Sequence, residues 1–302
     1  MINGIINIKK EKGFTSHDVV AKLRGILRQK KIGHTGTLDP DAEGVLPVCL
    51  GKATKLCDLI GDWDKTYEAT LLLGKTTDTE DISGQVQEEK EVLVQEEEIA
   101  QIICSFVGNY AQIPPMYSAK KVKGKKLYEL AREGIVIERK PCPVEIHEVN
   151  IKKIALPEVT FTVSCSKGTY IRSLCRDIGE KAGCGGCMSA LTRTKVSSFS
   201  LEDAVTLAQV EELREENRLE EIILPVDRVF AGYPAVTAAK QAERLLYNGN
   251  PLPQDLCTGS AGVEKEGEFY RVYDEEGHFI GVYTKDGQKK LYRPHKLFFD
   301  LP

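Results

Sequence analysis

The sequence predicts an α+β fold: a largely antiparallel sheet with helices, followed by a small β-rich C-terminal domain. Three observations carry this. Strand-like and helix-like stretches do not alternate regularly along the 302 residues, as a parallel, doubly wound sheet would require. Several strand-like runs are joined by turns, which antiparallel pairing allows and parallel pairing does not. The composition shifts at "PVDRVFAGYPAV" (225–236), and beyond it short runs alternate with "DEEG" and "KDG" turns, which are hairpin signals. The expected boundary therefore divides residues 1–230 from residues 231–302.

Taken in order, "GIINIKK" (4–10) alternates as a strand. Thr15 opens a helix, with Asp18 three residues on in a capping-box pattern and Val19, Val20, Leu23, Ile26 and Leu27 on one face. "VLPVCLG" (45–51) is a short apolar strand whose Pro47 argues for an edge or bulged position. "ATKLCDLIGDW" reads as helix and "KTYEATLLLG" (65–74) as a strand with Tyr67 near its start. The acidic stretch 75–98 reads as a surface loop leading into a helix near 96–107. "AQIPPMYSAKKVKGKKLYELAREG" (111–134) has two prolines, five lysines between 120 and 126 and two tyrosines, and looks like a projecting arm. Residues 143–155 and 158–165 read as paired strands around Leu156-Pro157. "GTYIRSLCRDIGEKAG" (168–183) is a helix entered through Gly168, "LTRTKVSSFSL" (191–201) is β-rich, and 202–221 is an acidic helix. A last helix, 237–247, ends at Asn248-Gly249.

The hydrophobic share of 41% and charged share of 28% suit a globular chain with a real core. No apolar run is long enough to span a membrane, and the N-terminus does not read as a signal peptide. Nine scattered cysteines without framework spacing read as reduced thiols of a cytoplasmic protein. Cys184-Gly-Gly-Cys187 is the one close pair, and a zinc site would need a second. The net charge of −4 conceals blocks: residues 9–31 carry eight Lys/Arg against two acids, 115–140 eight against three, and 78–98 nine acids against one lysine. Each run alone reads as a solvated face. Two basic runs flanking a Gly-rich and a Pro-rich loop also suit a polyanion partner.

The loop "KKIGHTGTLDPDAEGVLPVCLG" (30–51) raises the question of chemistry. Asp39-x-Asp41-x-Glu43-Gly44 mimics the start of a calcium loop, but the twelfth position is Leu50 where a bidentate Glu is needed. A phosphate loop fails too, because six residues separate Gly44 from Gly51 and Ala53 replaces the Ser or Thr. Two readings stay open: Asp39-Pro40 as a turn initiator, or Asp39 as a carboxylate nucleophile beside thin Gly33 and Gly36 that admit a large anion. A nucleophilic carboxylate needs a fixed guanidinium to favour its charged form, and Arg172, in the first turn of its helix, is the candidate. Tyr67 could equally be a half-buried core residue.

"GHTGTLDPDAEGVLPVCLGKATK" closely resembles the catalytic motif of the TruB-type tRNA pseudouridine synthases. "INIKKEKGFTSHDVV", "KTYEATLLLGKTTDTEDISG", "IPPMYSAKKVKGKKLYELAREG" and "SCSKGTYIRSLCRDIGEKAGCG" resemble further motifs of that family, in family order. The resemblance covers roughly residues 1–200, and the last ~70 resemble a PUA-like RNA-binding domain more weakly. It implies a large mixed, mainly antiparallel sheet flanked by helices, with an RNA-gripping insertion at about 111–138. By position, Asp39 matches the catalytic aspartate and Arg172 its paired arginine. Tyr67 matches the tyrosine that stacks on the target base. Tyr170 and Leu191 match residues lining the base pocket, and His34 the histidine that fills the space of the flipped base. Lys10 and Lys55 match basic positions and are implied to bind the RNA substrate. Thr192 stands where many members carry a second Arg, and Ser197 where Gly is common.

The implied activity converts uridine 55 of the tRNA T loop to pseudouridine. It is an isomerisation by base flipping, glycosidic cleavage, base rotation and C–C bond formation, with no cofactor and no metal. Asp39 would act at C1′, at C6 or on the C2′ proton. The T arm of tRNA is the implied partner, with no membrane and no obligate protein partner, and the chain is expected to be a monomer. The rival readings are an RNA-binding module without catalysis, which would make Asp39 dispensable, and a synthase directed to rRNA or guide-selected sites.

Overall fold

The computed structural model describes residues 1–122, 124–259 and 268–299. Lys123 of the expected arm and parts of the C-terminal domain, 260–267 and 300–302, lie outside the described residues.

The chain opens with β1 (Gly4–Lys10) and α1 (Ser16–Ile26), whose Thr15 cap and Asp18 form the reciprocal capping box. β2 (Ile32–His34) and β3 (Glu43–Leu50) bracket the Gly-rich loop. A 3-10 turn over 51–56 and the short α2 (Cys57–Gly61) replace the longer helix expected there. β4 (Lys65–Leu73) follows, then the hairpin β5 (Lys75–Thr77) and β6 (Val86–Glu89) inside the stretch expected to be loop. α3 (Glu96–Cys104) and β7 (Gly108–Gln112) lead to the arm, with β8 (Lys121–Val122), β9 (Lys125–Lys126) and α4 (Leu127–Arg132). The long β10 (Cys142–Ala155) and β11 (Glu158–Cys165) form the expected pair. α5 (Ile171–Lys181), β12 (Gly186–Val196), β13 (Phe199–Ser200), α6 (Leu207–Glu215) and β14 (Ile223–Leu224) complete this part.

One mixed sheet holds these together in the order β14-β1-β3-β12-β4-β11-β10-β7, with β2 on β3 and β13 on β12. Every pairing in it is antiparallel except β3 with β12. β3 is an interior strand, contrary to the edge position that Pro47 suggested. Along one side it pairs with β1 from Gly44 to Leu50. On the other, β12 pairs at Glu43 and Gly44 and β2 at Val48–Leu50. Pro47 falls in the gap between those partners, where no second ladder needs an N–H. Gly44 is forced at this junction. Its φ is +111°, and a Cβ would lie 2.2 Å from the Arg193 carbonyl oxygen.

α5 lies on β12 because Gly179 lets it do so: a Cβ there would meet the backbone of Gly186 at 2.2 Å. Cys184-Gly-Gly-Cys187 is thus a packing device, with both thiols buried. Under the sheet, Leu71, Phe161, Val163, Leu174 and Ile178 form one apolar core, and Ile6, Ile8, Leu23, Val48 and Val210 pack a second beneath α1 and α6.

The C-terminal part builds a second sheet from β15 (Ala235–Ala238), β16 (Leu252–Pro253), β17 (Cys257–Gly259), β18 (Phe269–Tyr273), β19 (Phe279–Asp286) and β20 (Leu291–Leu297), ordered β16-β20-β19-β18-β15-β17. The helix expected at 237–247 is only α7 (Glu243–Tyr247), because 235–238 pair as strand. Likewise α6 is shorter than the 202–221 expected. A third apolar cluster joins the two sheets: Ile5, Val45, Cys49 and Leu56 pack with Phe230, Val282 and Phe298.

Candidate active site

The Gly-rich loop, α5 and the turn between β5 and β6 converge on Asp39. The loop is fixed from below. Ser16, buried at the start of α1, accepts from the Leu38 N–H at 2.9 Å. Lys10, at the end of β1, donates from Nζ to the carbonyls of Glu11 (3.0 Å), Pro40 (3.1 Å) and Ala42. Gly13 donates to Pro40 O at 3.0 Å. Asp39 therefore projects from a loop whose backbone is held on both sides, and it does initiate the expected turn, with Ala42 N donating to its carbonyl at 3.1 Å.

Arg172 meets it from the first turn of α5. Nε lies 3.0 Å from Asp39 Oδ2 and Nη2 donates to Oδ1 at 3.3 Å, a fork-to-carboxylate pairing. The remaining donors reach two other segments. Nη1 donates to the Thr79 carbonyl at 3.0 Å and lies 3.6 Å from Asp81 Oδ2, and Nη2 donates to the Tyr117 carbonyl of the arm at 2.8 Å. Asp81 is itself oriented, since its Oδ1 accepts from Thr79 Oγ1 at 2.8 Å and Ser83 Oγ at 2.6 Å. Arg172 is buried, with 7% of its side chain exposed, whereas Asp39 keeps 40% of its side chain open. The guanidinium is thus structural on its inner side, and the carboxylate is the part of the pair a ligand can reach.

Burial pushes the Asp39 carboxyl above its ordinary value. Arg172 and Lys10 pull it down while Asp81 and Asp41 push it up, and the balance remains upward. The arginine therefore opposes the desolvation of the site without cancelling it, which is less than the sequence reading gave it. Burial also lowers the Lys10 ammonium to about 8, against the attraction of Asp39 and Asp41.

Tyr67 on β4 and Leu191 on β12 are buried in one apolar cluster with Leu38 and Ala42 of the Gly-rich loop, so two strands and the loop meet beside Asp39. Burial raises the Tyr67 phenol, opposed by Arg193, which is fully buried and donates to Val45 O at 2.7 Å and Gly36 O at 3.2 Å. Tyr170, the residue before α5, is clamped by a reciprocal pair with Gln112: its N–H donates to Oε1 at 2.7 Å and its carbonyl accepts from Nε2 at 3.0 Å. His34 is half-buried, edge-on to His17 with centroids 5.4 Å apart, and burial lowers its imidazole.

Two expected RNA contacts stand elsewhere. Lys10 is buried and spends its ammonium on the loop. Lys55 donates to the Leu297 carbonyl of β20 at 2.7 Å and so ties the two sheets. Gly33 and Gly36 face this chain's own side chains, since a Cβ on Gly33 would meet Cys57 Sγ at 3.1 Å. Conversely, Asp81, Glu80, Arg176 and Arg193 belong to the neighbourhood and were not singled out from sequence. The readable signal was "DTEDISG", an Asx-type turn in which Thr79 and Ser83 cap Asp81 and Gly84 leaves room for Asp78 and Thr79.

A mainly antiparallel mixed sheet with an aspartate–arginine pair held between the Gly-rich loop and α5 is the arrangement that the resemblance to the pseudouridine synthases implies. Comparisons with known proteins agree. Residues 24–171 match the TruB family pseudouridylate synthase N-terminal domain, and 172–231 match the tRNA pseudouridylate synthase B C-terminal domain. The tRNA pseudouridine synthase B of Lachnoclostridium phytofermentans is 55% identical over 98% of this chain and 100% of its own length. That of Alkaliphilus oremlandii is 46% identical, covering 99% of both. Among solved structures, an H/ACA RNP bound to a substrate RNA containing 2′-deoxyuridine matches with a TM-score of 0.72 at 26% identity, over 98% of this chain and 85% of that one. A Cbf5–Nop10–Gar1 complex matches with a TM-score of 0.73 at 26% identity, with the same coverage. The chain belongs to the TruB family of pseudouridylate synthases.

Proposed function

We propose that this enzyme isomerises uridine 55 in the T loop of tRNA to pseudouridine, with Asp39 as the carboxylate that starts the reaction. The observation that carries the residue assignment is the Asp39–Arg172 pair: a carboxylate open on one side and gripped on the other by a buried guanidinium. Glycosidic cleavage breaks N1–C1′, the uracil turns, C5–C1′ forms, the C5 proton leaves and N1 takes up a proton. Atoms and electrons balance without an outside reductant, so the reaction asks for no cofactor.

The target base must leave its stack, which costs a few kcal/mol. Tyr67 stacks on the flipped ring, an interaction worth ~1–3 kcal/mol, with Leu191 and Tyr170 lining the pocket and His34 facing the vacated stack. Its raised phenol starts neutral, which suits a stacking platform. Basic residues of α1 and of the arm (111–138) meet the phosphates, with 231–302 as an RNA-binding domain of PUA type. The T arm of tRNA is the only partner this reading requires, and the enzyme acts as a monomer in the cytoplasm. Its nine cysteines, all free thiols, suit a reducing compartment.

Asp39→Asn tests the assignment. Release of tritium from C5-labelled tRNA transcript should fall by ~10³-fold or more, the scale of an essential acid–base or nucleophilic group. Transcript binding by filter retention should stay near the parent value. Substantial turnover in that variant would return Asp39 to a turn initiator and place the reactive group elsewhere.

A further inference from the structure

Beside the catalytic pair lies a second charged cluster that the reaction as described leaves unused. Glu80, buried, accepts from Ser173 Oγ at 2.6 Å and from Arg176 Nη1, both on α5, and its Oε1 lies 3.9 Å from Arg139 Nη1. Arg176 also donates from Nε to Asp177 Oδ1 at 2.7 Å, and Asp177 in turn accepts from the Tyr110 hydroxyl.

The same two arginines hold the base of the arm. Arg176 Nη2 donates to the Ile113 carbonyl at 3.3 Å, and Arg139, at the arm's return, donates to the Pro114 carbonyl at 2.9 Å. Glu80 immediately precedes Asp81, and its carbonyl accepts from Met188 N at 3.1 Å, seating this turn on β12. Its backbone is held at φ +64°, a left-handed conformation that a glutamate does not adopt without compensation. Ser173 and Arg176 are one and four residues beyond Arg172. Arm base, Asp81 turn and the helix that carries Arg172 therefore meet at one carboxylate.

We propose that Glu80 and Arg176 are positioning residues that make seating of the arm and alignment of Asp39, Arg172 and Asp81 a single event. The link is short. Arg172 itself donates to the Tyr117 carbonyl of the arm, so an arm base displaced from Arg176 and Arg139 pulls on the guanidinium that aims Asp39. This rests on the reading of Asp39 as the reactive carboxylate.

The test uses single-turnover tritium release at saturating enzyme, tRNA binding by filter retention and thermal melting, on the full chain. Glu80→Gln keeps size and removes charge, and should slow the single-turnover step by about 10-fold or more while changing Kd by less than about threefold. Glu80→Asp should recover part of the rate. The Glu80→Gln/Arg176→Gln double variant should be no slower than the slower single, because both cut one linkage. Where Glu80→Gln fails to fold, Arg139→Gln decides, with the same split between rate and Kd expected. A rate within about twofold of the parent, multiplicative penalties in the double variant, or a loss confined to Kd would overturn the proposal. Those outcomes concern a parent enzyme that turns over. A parent without tritium release would overturn the function itself.

Discussion

At the scale of single residues, the decisive feature is a carboxyl with opposed neighbours. Desolvation and Asp81 outweigh Arg172 and Lys10 at Asp39, so the ionised form is lost at a higher pH than for a free aspartate. The acid limb of single-turnover rate against pH should therefore lie above the ordinary carboxylate value of about 3.9. It should shift in Asp81→Asn toward lower pH, since that change removes a like charge. Stopped-reaction rates across roughly pH 3–7, a range that brackets that value, check it. Lys10 offers a second test. Three carbonyls of the loop and its border depend on its ammonium, so Lys10→Met should cost ~1–3 kcal/mol in urea unfolding and lower kcat more than it changes KM. Asp39, Arg172, Tyr67 and Leu191 were legible because residue type and motif order point to them. Asp81 and Glu80 were hidden in a stretch of nine acids against one lysine, where composition favours solvent. Their partners, Arg172 for Asp81 and Arg176 for Glu80, lie far along the chain on α5, and only the fold closes that distance.

At the scale of elements, strands and capped helices were readable wherever periodicity was strong, as in α1 with its Thr15–Asp18 box or the β10–β11 pair. Pairing partners were not readable. Pro47 looked like an edge residue because one sequence shows the missing donor but not the gap between β2 and β12 that makes it harmless. The first part of the 237–247 helix likewise became β15, since a neighbouring strand outweighed local propensity. Gly44 is where the parallel β3–β12 contact depends on a single missing side chain. Gly44→Ala combines a left-handed φ with overlap against Arg193 backbone that cannot swing aside. It should destabilise by roughly 2–4 kcal/mol, seen as a lower denaturant midpoint with the slope retained.

At the scale of the whole molecule, the two sheets are joined by more than a linker. Lys55 bonds the last strand, and Phe230, Phe279 and Phe298 are mutually packed against residues of the first sheet. Scanning calorimetry of the full chain should accordingly give one endotherm instead of two, with Lys55→Met lowering it only slightly, by ~0.5–1 kcal/mol for a single exposed hydrogen bond. The shared aromatic seam has an evolutionary corollary. Shortening the chain at residue 230 would strip the cover from Ile5 and Val45 and leave a greasy flank open to other molecules. The tail can therefore drift in its outer surface over generations while its inner wall stays bound to the enzyme's solubility.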